Sequence, residues 1–195
     1  MDAALPLVGH RFWLVLLGCI SALLPQFAYA QTFREIPCNQ SRLMGPADVH
    51  CVATGYYSSL EGGNGRFRSY AIAGSYESGS HKLIYSASLM IAEQESAIRG
   101  ASREELSQII QNYDQEIAPH ALDWSVLLTA GSISYRTFRF HPPGGAPFQC
   151  FGFSLLSGGN AYGYGRSLLG NMCRSDTRRF EPSEVSAMVS TLTAK

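Results

Sequence analysis

Cys38 and Cys51 lie near the start of this 195-residue chain, and Cys150 and Cys173 lie near its end. Nothing else restricts the fold as strongly, because two cross-links would fix which segments lie side by side. Four cysteines allow three connectivities, and spacing alone does not choose among them. Their order favours the local pairs Cys38–Cys51 and Cys150–Cys173. Closing a loop of either size contributes about 3 kcal/mol in the chain-entropy account. Other uses for these thiols lack their partners. The chain has no C-x-x-C pair for thiol redox chemistry and no Cys/His cluster at zinc-finger spacing. In "DVHC", Asp48 and His50 share one side of a strand beside Cys51, which is two ligands where a structural zinc takes four. No metal and no cofactor are expected.

Cys19 belongs to a different kind of segment. His10 and Arg11 precede an apolar run from Phe12 to Leu24, Pro25 and Gln26 end it, and Ala28, Tyr29 and Ala30 follow. A short basic stretch, an apolar core and small residues before the cut describe a secretory signal peptide cleaved after Ala30. The run is shorter than the roughly 20 apolar residues that span a bilayer. The expectation is a signal peptide over residues 1–30 and a single domain over 31–195, periplasmic or secreted, with no membrane span in the mature chain. "LLGC", Leu16 to Cys19, supplies an alternative, a lipoprotein anchored through Cys19. Ile20 to Leu24 then stay apolar, where a lipoprotein tether is polar.

With Arg11 and Asp2 set aside, fourteen of the fifteen basic and fourteen of the fifteen acidic residues remain, so the exported chain is formally neutral. Neutrality removes the basic footprint of a nucleic-acid binder. Lys82 and Lys195 are the only lysines, a bias toward Arg that fits a GC-rich, bacterial source. In a eukaryote the "NQS" at Asn39 would be a glycosylation sequon.

From Cys51 onward the pattern is that of strands. "VATGYYSSL", "RFRSYAIAG" and "KLIYSASLMI" alternate in character, separated by "GGNG" and "YESGS". Asn64-Gly65 suits a hairpin turn because both residues tolerate positive φ. Leu83, Tyr85, Ala87, Leu89 and Ile91 fall on one face of the third strand. "SREELSQIIQNYDQEI" reads as a helix, with Ser102 and Glu105 at capping-box spacing and a stripe of Leu106, Ile109, Ile110, Tyr113 and Ile117. Trp124 to Thr129 fits a buried strand or a short helix. "SISYRTFRFH", "FQCFGFSLL" and "NAYGYGRSLL" read as strands, and "EPSEVSAMVSTLTA" as a helix opening on Pro182 with Val185, Met188, Val189 and Leu192 on one face. The expected fold is α+β, an antiparallel sheet of about five to six strands with two amphipathic helices packed on it.

No catalytic constellation emerges. The G-x-S-x-G elbow of many hydrolases is absent. His81, His120 and His141 are possible bases, and His120 with Asp123 is the closest His/carboxylate pair, yet no nucleophile stands beside it. Glu104 and Glu105 suit a helix's first turn, and Glu93 and Glu95 a solvated strand end. The remaining feature is a surface. Tyr162, Tyr164 and Arg166 alternate with glycines, so a strand places all three on one face, where aromatic and Arg side chains suit partner binding; the competing reading packs the tyrosines under a helix, with the glycines marking bulges and bends in the sheet. Tyr56 with Arg68 or Tyr70 extends that face if the strands are neighbours. The reading is a non-enzymatic binder of a protein or glycan partner, with an extracytoplasmic hydrolase as the alternative.

Overall fold

The structure is a computed structural model and describes residues 34–46, 49–53, 57–58, 66–78, 81–93, 96–98, 106–113, 117–161 and 163–195. All of them fall in one compact unit, Thr32–Lys195. The signal-peptide residues and Cys19 lie outside the described residues.

Two long hairpins make the centre. β5 (Arg66–Ser78) pairs with β6 (His81–Glu93), and β10 (Phe148–Asn160) pairs with β11 (Gly163–Arg174). β6 and β11 lie side by side, joining the hairpins into one sheet. On one flank β3 (Val49–Ala53) pairs with β5, and β1 (Arg34–Glu35) pairs with β3. On the other flank β9 (Ile133–Phe140) pairs with β10, and β7 (Ala121–Leu122) and β8 (Leu128–Ala130) pair with β9. With β4 (Tyr57–Ser58) also on β5, this is a ten-stranded sheet, antiparallel throughout. A separate ribbon joins β2 (Leu43–Met44) to β12 (Thr193–Ala194).

Strand alternation divides the core between the two faces of the sheet. On the first face Tyr70, Ile72, Tyr85, Ala87, Leu89, Leu168, Met172, Phe151, Phe153 and Tyr135 are buried in one cluster that includes residues of α2 (Pro182–Ser190). Val185 and Val189 of that helix, with Phe180, Leu192 and Leu43, complete the cluster. Each such large apolar side chain contributes about 1.5–3 kcal/mol by leaving water. On the second face Phe138, Phe140, Cys150, Cys173 and Ile117 form a smaller cluster, with Trp124 stacked on Phe138 at 4.3 Å between ring centroids. α1 (Leu106–Tyr113) also lies on this face. Its Ile110 occupies the space above Gly152, where an added Cβ would run into the Ile110 Cδ1.

Cys38 is bonded to Cys51, and Cys150 to Cys173. The second bond joins residues directly opposite each other on β10 and β11, both fully buried. The first ties the segment between β1 and β2 to β3.

The expected α+β class, with five to six strands and two amphipathic helices as a layer, is wrong: the fold is mostly β. Three physical reasons account for the difference. The strands run through their expected ends, so that "YES" of the "YESGS" turn lies inside β5 and "SGG" lies inside β10. The edge segments β7 and β8 and the short β1 and β4 add four strands to the sheet. The helices among the described residues are short, eight and nine residues, or about 12–14 Å of helix against strands of about 43 Å. The C-terminal helix, expected to reach Ala194, stops at Ser190 because Ser190, Thr191 and Thr193 are poor helix continuers. Thr193 and Ala194 pair with β2 instead.

Candidate binding surface

The register of three strands assembles a polar end to the first face. Arg166 on β11 stands opposite Ile91 on β6, and Ile91 stands opposite Arg68 on β5. One row further, Arg66 stands opposite Glu93. Residues two apart share a face, so Arg66, Arg68, Ile91, Glu93, Tyr164 and Arg166 continue the face that carries Tyr70, Leu89 and Leu168 in the core. With strands about 4.8 Å apart, the Arg68 and Arg166 backbones lie about 10 Å apart across Ile91.

Burial separates Tyr164 from most other described tyrosines. It is 37% exposed, whereas Tyr70, Tyr85 and Tyr135 are 5%, 4% and 1% exposed. Arg66 and Arg166 are exposed; Arg68, Ile91 and Glu93 are half-buried. Neither Arg66 nor Arg166 forms an ion pair with a described residue.

One short segment holds this end in place. Ile98 donates its N–H to the Tyr164 carbonyl at 2.7 Å and accepts the Tyr164 N–H at 2.9 Å. Ser96 Oγ accepts the Arg66 N–H at 2.7 Å. Residues 96–98 therefore fasten the ends of both β5 and β11. Gly163, at φ +147, permits the approach: a Cβ there would stand 2.6 Å from the Ile98 carbonyl oxygen.

Tyr162 and Tyr56 lie outside the described residues. Tyr70 does not extend the surface, because it sits two residues deeper on the same face, in the core. Arg68 does share the row with Arg166, but one strand removed, with β6 between them.

The other sequence candidates are dispersed. The Asp123 carboxylate accepts from Arg139 Nε at 2.6 Å, while His120 packs against the Phe140 ring and takes the His141 N–H on its backbone carbonyl. His50 lies 3.5 Å from Glu35, both exposed; Asp48, Glu95, Glu104 and Glu105 lie outside the described residues. No group of three or more His, Cys, Asp or Glu among the described residues is arranged to hold a metal ion. No helix among them is long and apolar enough to cross a membrane.

A charged cluster that sequence reasoning missed surrounds Arg174, which is 6% exposed. Its Nε donates to Asp176 at 2.8 Å, Nη1 to Glu184 at 3.3 Å and Nη2 to the Arg178 carbonyl at 3.1 Å. The guanidinium also lies 4.4 Å above the Phe180 ring. Each guanidinium nitrogen has an acceptor within the chain, so the cluster clamps α2 to β11. The Glu184 carboxyl is held below the usual range, first by the Glu181 backbone N–H and then by Arg178 and Arg174, against the opposing pull of burial. The signal was an Arg at the core-facing position that follows Leu168, Gly170 and Met172 in alternation. A charge there must be paired.

Comparison with protein-family models, with curated proteins and with solved structures finds no match. The two disulfides fit an oxidising, extracellular compartment.

Proposed function

We propose that this chain is an exported domain that binds a protein or glycan partner without chemistry, through the sheet end carrying Tyr164 and Arg166. Residues 1–30 act as a cleaved signal peptide, and residues 31–195 make up the working domain, in the periplasm or outside the cell. The supporting observation is the exposure of Tyr164 beside Arg166, on a face whose deeper tyrosines are buried. Flat apolar rings beside an arginine are typical of binding hot spots. Ile98 and Ser96 hydrogen-bond the two strands on either side of β6, and ordering of this kind before a partner arrives lowers the entropic cost of association.

Export is tested by the intact mass of the protein collected outside the cytoplasm, with thiols alkylated before and after reduction. A chain starting at Gln31 with no free thiol until reduction is expected; a lipid adduct on Cys19 would place the protein on a membrane instead. Binding is tested by co-sedimentation with insoluble envelope or matrix material from the source organism. Wild-type protein is expected to sediment and Tyr164→Ala to stay in solution with unchanged melting temperature. Equal sedimentation of the two would contradict the reading.

A further inference from the structure

We propose that the partner taken at this sheet end is an anionic glycan, a polysaccharide bearing carboxylates or sulfates; the proposal rests on the reading of Tyr164 and Arg166 as a binding surface. Three arginines, Arg66, Arg68 and Arg166, share two rows of the sheet with one described carboxylate, Glu93, in a chain whose total charge is zero. Among the described residues the positive excess is therefore local. Arg68 already makes a contact within the chain, so the argument rests on Arg66 and Arg166, which form no ion pair with a described residue.

Arginine presents a planar fork of donors that matches a carboxylate or sulfate better than an ammonium does. Arg66 and Arg166 lie two strands and one row apart, about 12 Å between backbones. That separation suits two anionic groups carried along one polymer better than one shared anion. Between them lies Ile91, half-buried, and beside Arg166 the Tyr164 ring supplies a flat apolar face and a hydroxyl, as a sugar ring requires.

An extended acidic peptide is disfavoured by the backbone. Such peptides gain affinity by adding a strand to an open sheet edge. Here β6 and β11 are interior strands, and the Tyr164 N–H and C=O are both taken by Ile98. Only side chains are available, which is how a polysaccharide is held.

The experiment measures binding of the full exported protein to polygalacturonate, dextran sulfate, neutral dextran and polyglutamate, each at low and high salt. At least one charged polysaccharide is expected to bind, with neutral dextran and polyglutamate weaker by about tenfold or more and with affinity falling as salt screens the charges. Arg166→Gln and Arg66→Gln are each expected to weaken it about three- to tenfold, with Arg166→Lys in between. Failure of both charged polysaccharides to bind would overturn the proposal. So would binding of neutral dextran or polyglutamate as tight as that of the charged polysaccharides, or indifference to both Arg→Gln changes. Co-sedimentation lost in Tyr164→Ala but insensitive to salt and to the Arg→Gln variants would remove the anionic glycan and leave the binding reading intact.

Discussion

The α-carbon of Gly163 faces the carbonyl of Ile98 so closely that a methyl group in its place would come to 2.6 Å of the oxygen. This contact lets the segment after β6 return and pair with the start of β11, and it sets Tyr164 in its exposed position. Gly163→Ala combines a backbone conformation that L residues rarely adopt with a backbone clash. It is expected to cost about 1–3 kcal/mol, measured by urea unfolding, and to speed amide exchange at Ile98 and Tyr164. Gly165→Ala, whose added atom would meet only the Gly158 carbonyl at 3.3 Å, is expected to cost less. Equal effects would contradict this account of the contact.

Removal of the Cys38–Cys51 bond as Cys38→Ser/Cys51→Ser is expected to destabilise by about 3 kcal/mol. The loss should be felt first in the segment around β2, whose ribbon with β12 has only two residues per strand. Hydrogen exchange read by mass spectrometry is expected to show faster labelling of residues 34–46 and 193–195, with β10 and β11 unchanged. Uniform faster labelling across the sheet would mean that the bond supports the whole fold and not its N-terminal flank.

Arg174→Met keeps much of the side chain's bulk over Phe180 and removes the charge that Asp176 and Glu184 face. Loss of one partner from a buried pair is expensive, and a cost of about 2–4 kcal/mol is expected in urea unfolding. A cost below about 0.5 kcal/mol, usual for surface changes, would contradict the clamp.

The same cluster carries a pH dependence. The folded pKa of Glu184 lies below its ordinary 4.5, first because of the Glu181 N–H and then because of Arg178 and Arg174. A group whose pKa is depressed on folding stabilises above its unfolded value, and the contribution is lost as pH falls through the folded one. The melting temperature of wild type is therefore expected to fall below about pH 4.5 more steeply than that of Glu184→Gln. The variant melts lower at neutral pH, and the two curves converge in acid. Parallel curves would show that Glu184 is not linked to stability.

Much of the central sheet was legible because its pattern is local. Leu83, Tyr85, Ala87 and Leu89 alternate in sequence and are all buried on one face, and the order of the cysteines favoured the pairs that are bonded. Strand length was not legible: the Ser and Gly residues after Leu156 look like a turn, yet β10 keeps pairing with β11 as far as Asn160. The edge at Ala121–Ala130 was obscured by Asp123, whose positive φ interrupts the strand pattern. At the candidate surface, alternation placed Tyr164 and Arg166 together. The addition of Arg66, Ile91 and Glu93 depends on register between strands far apart in sequence, which no single segment encodes. Tyr70 has the composition of a binding residue, and only its depth along the face puts it in the core.

The most direct test of the sheet end as the partner surface is site-specific photo-crosslinking in envelope or matrix material, with p-benzoylphenylalanine in place of Tyr164 or of Val126. Val126 is the natural control because it is the most exposed large apolar side chain among the described residues, at 75%, and lies between β7 and β8, the strands that flank the sheet beyond β10. Covalent adducts from position 164 and none from position 126 are the predicted result. Adducts from position 126 alone, or from neither position, would contradict it.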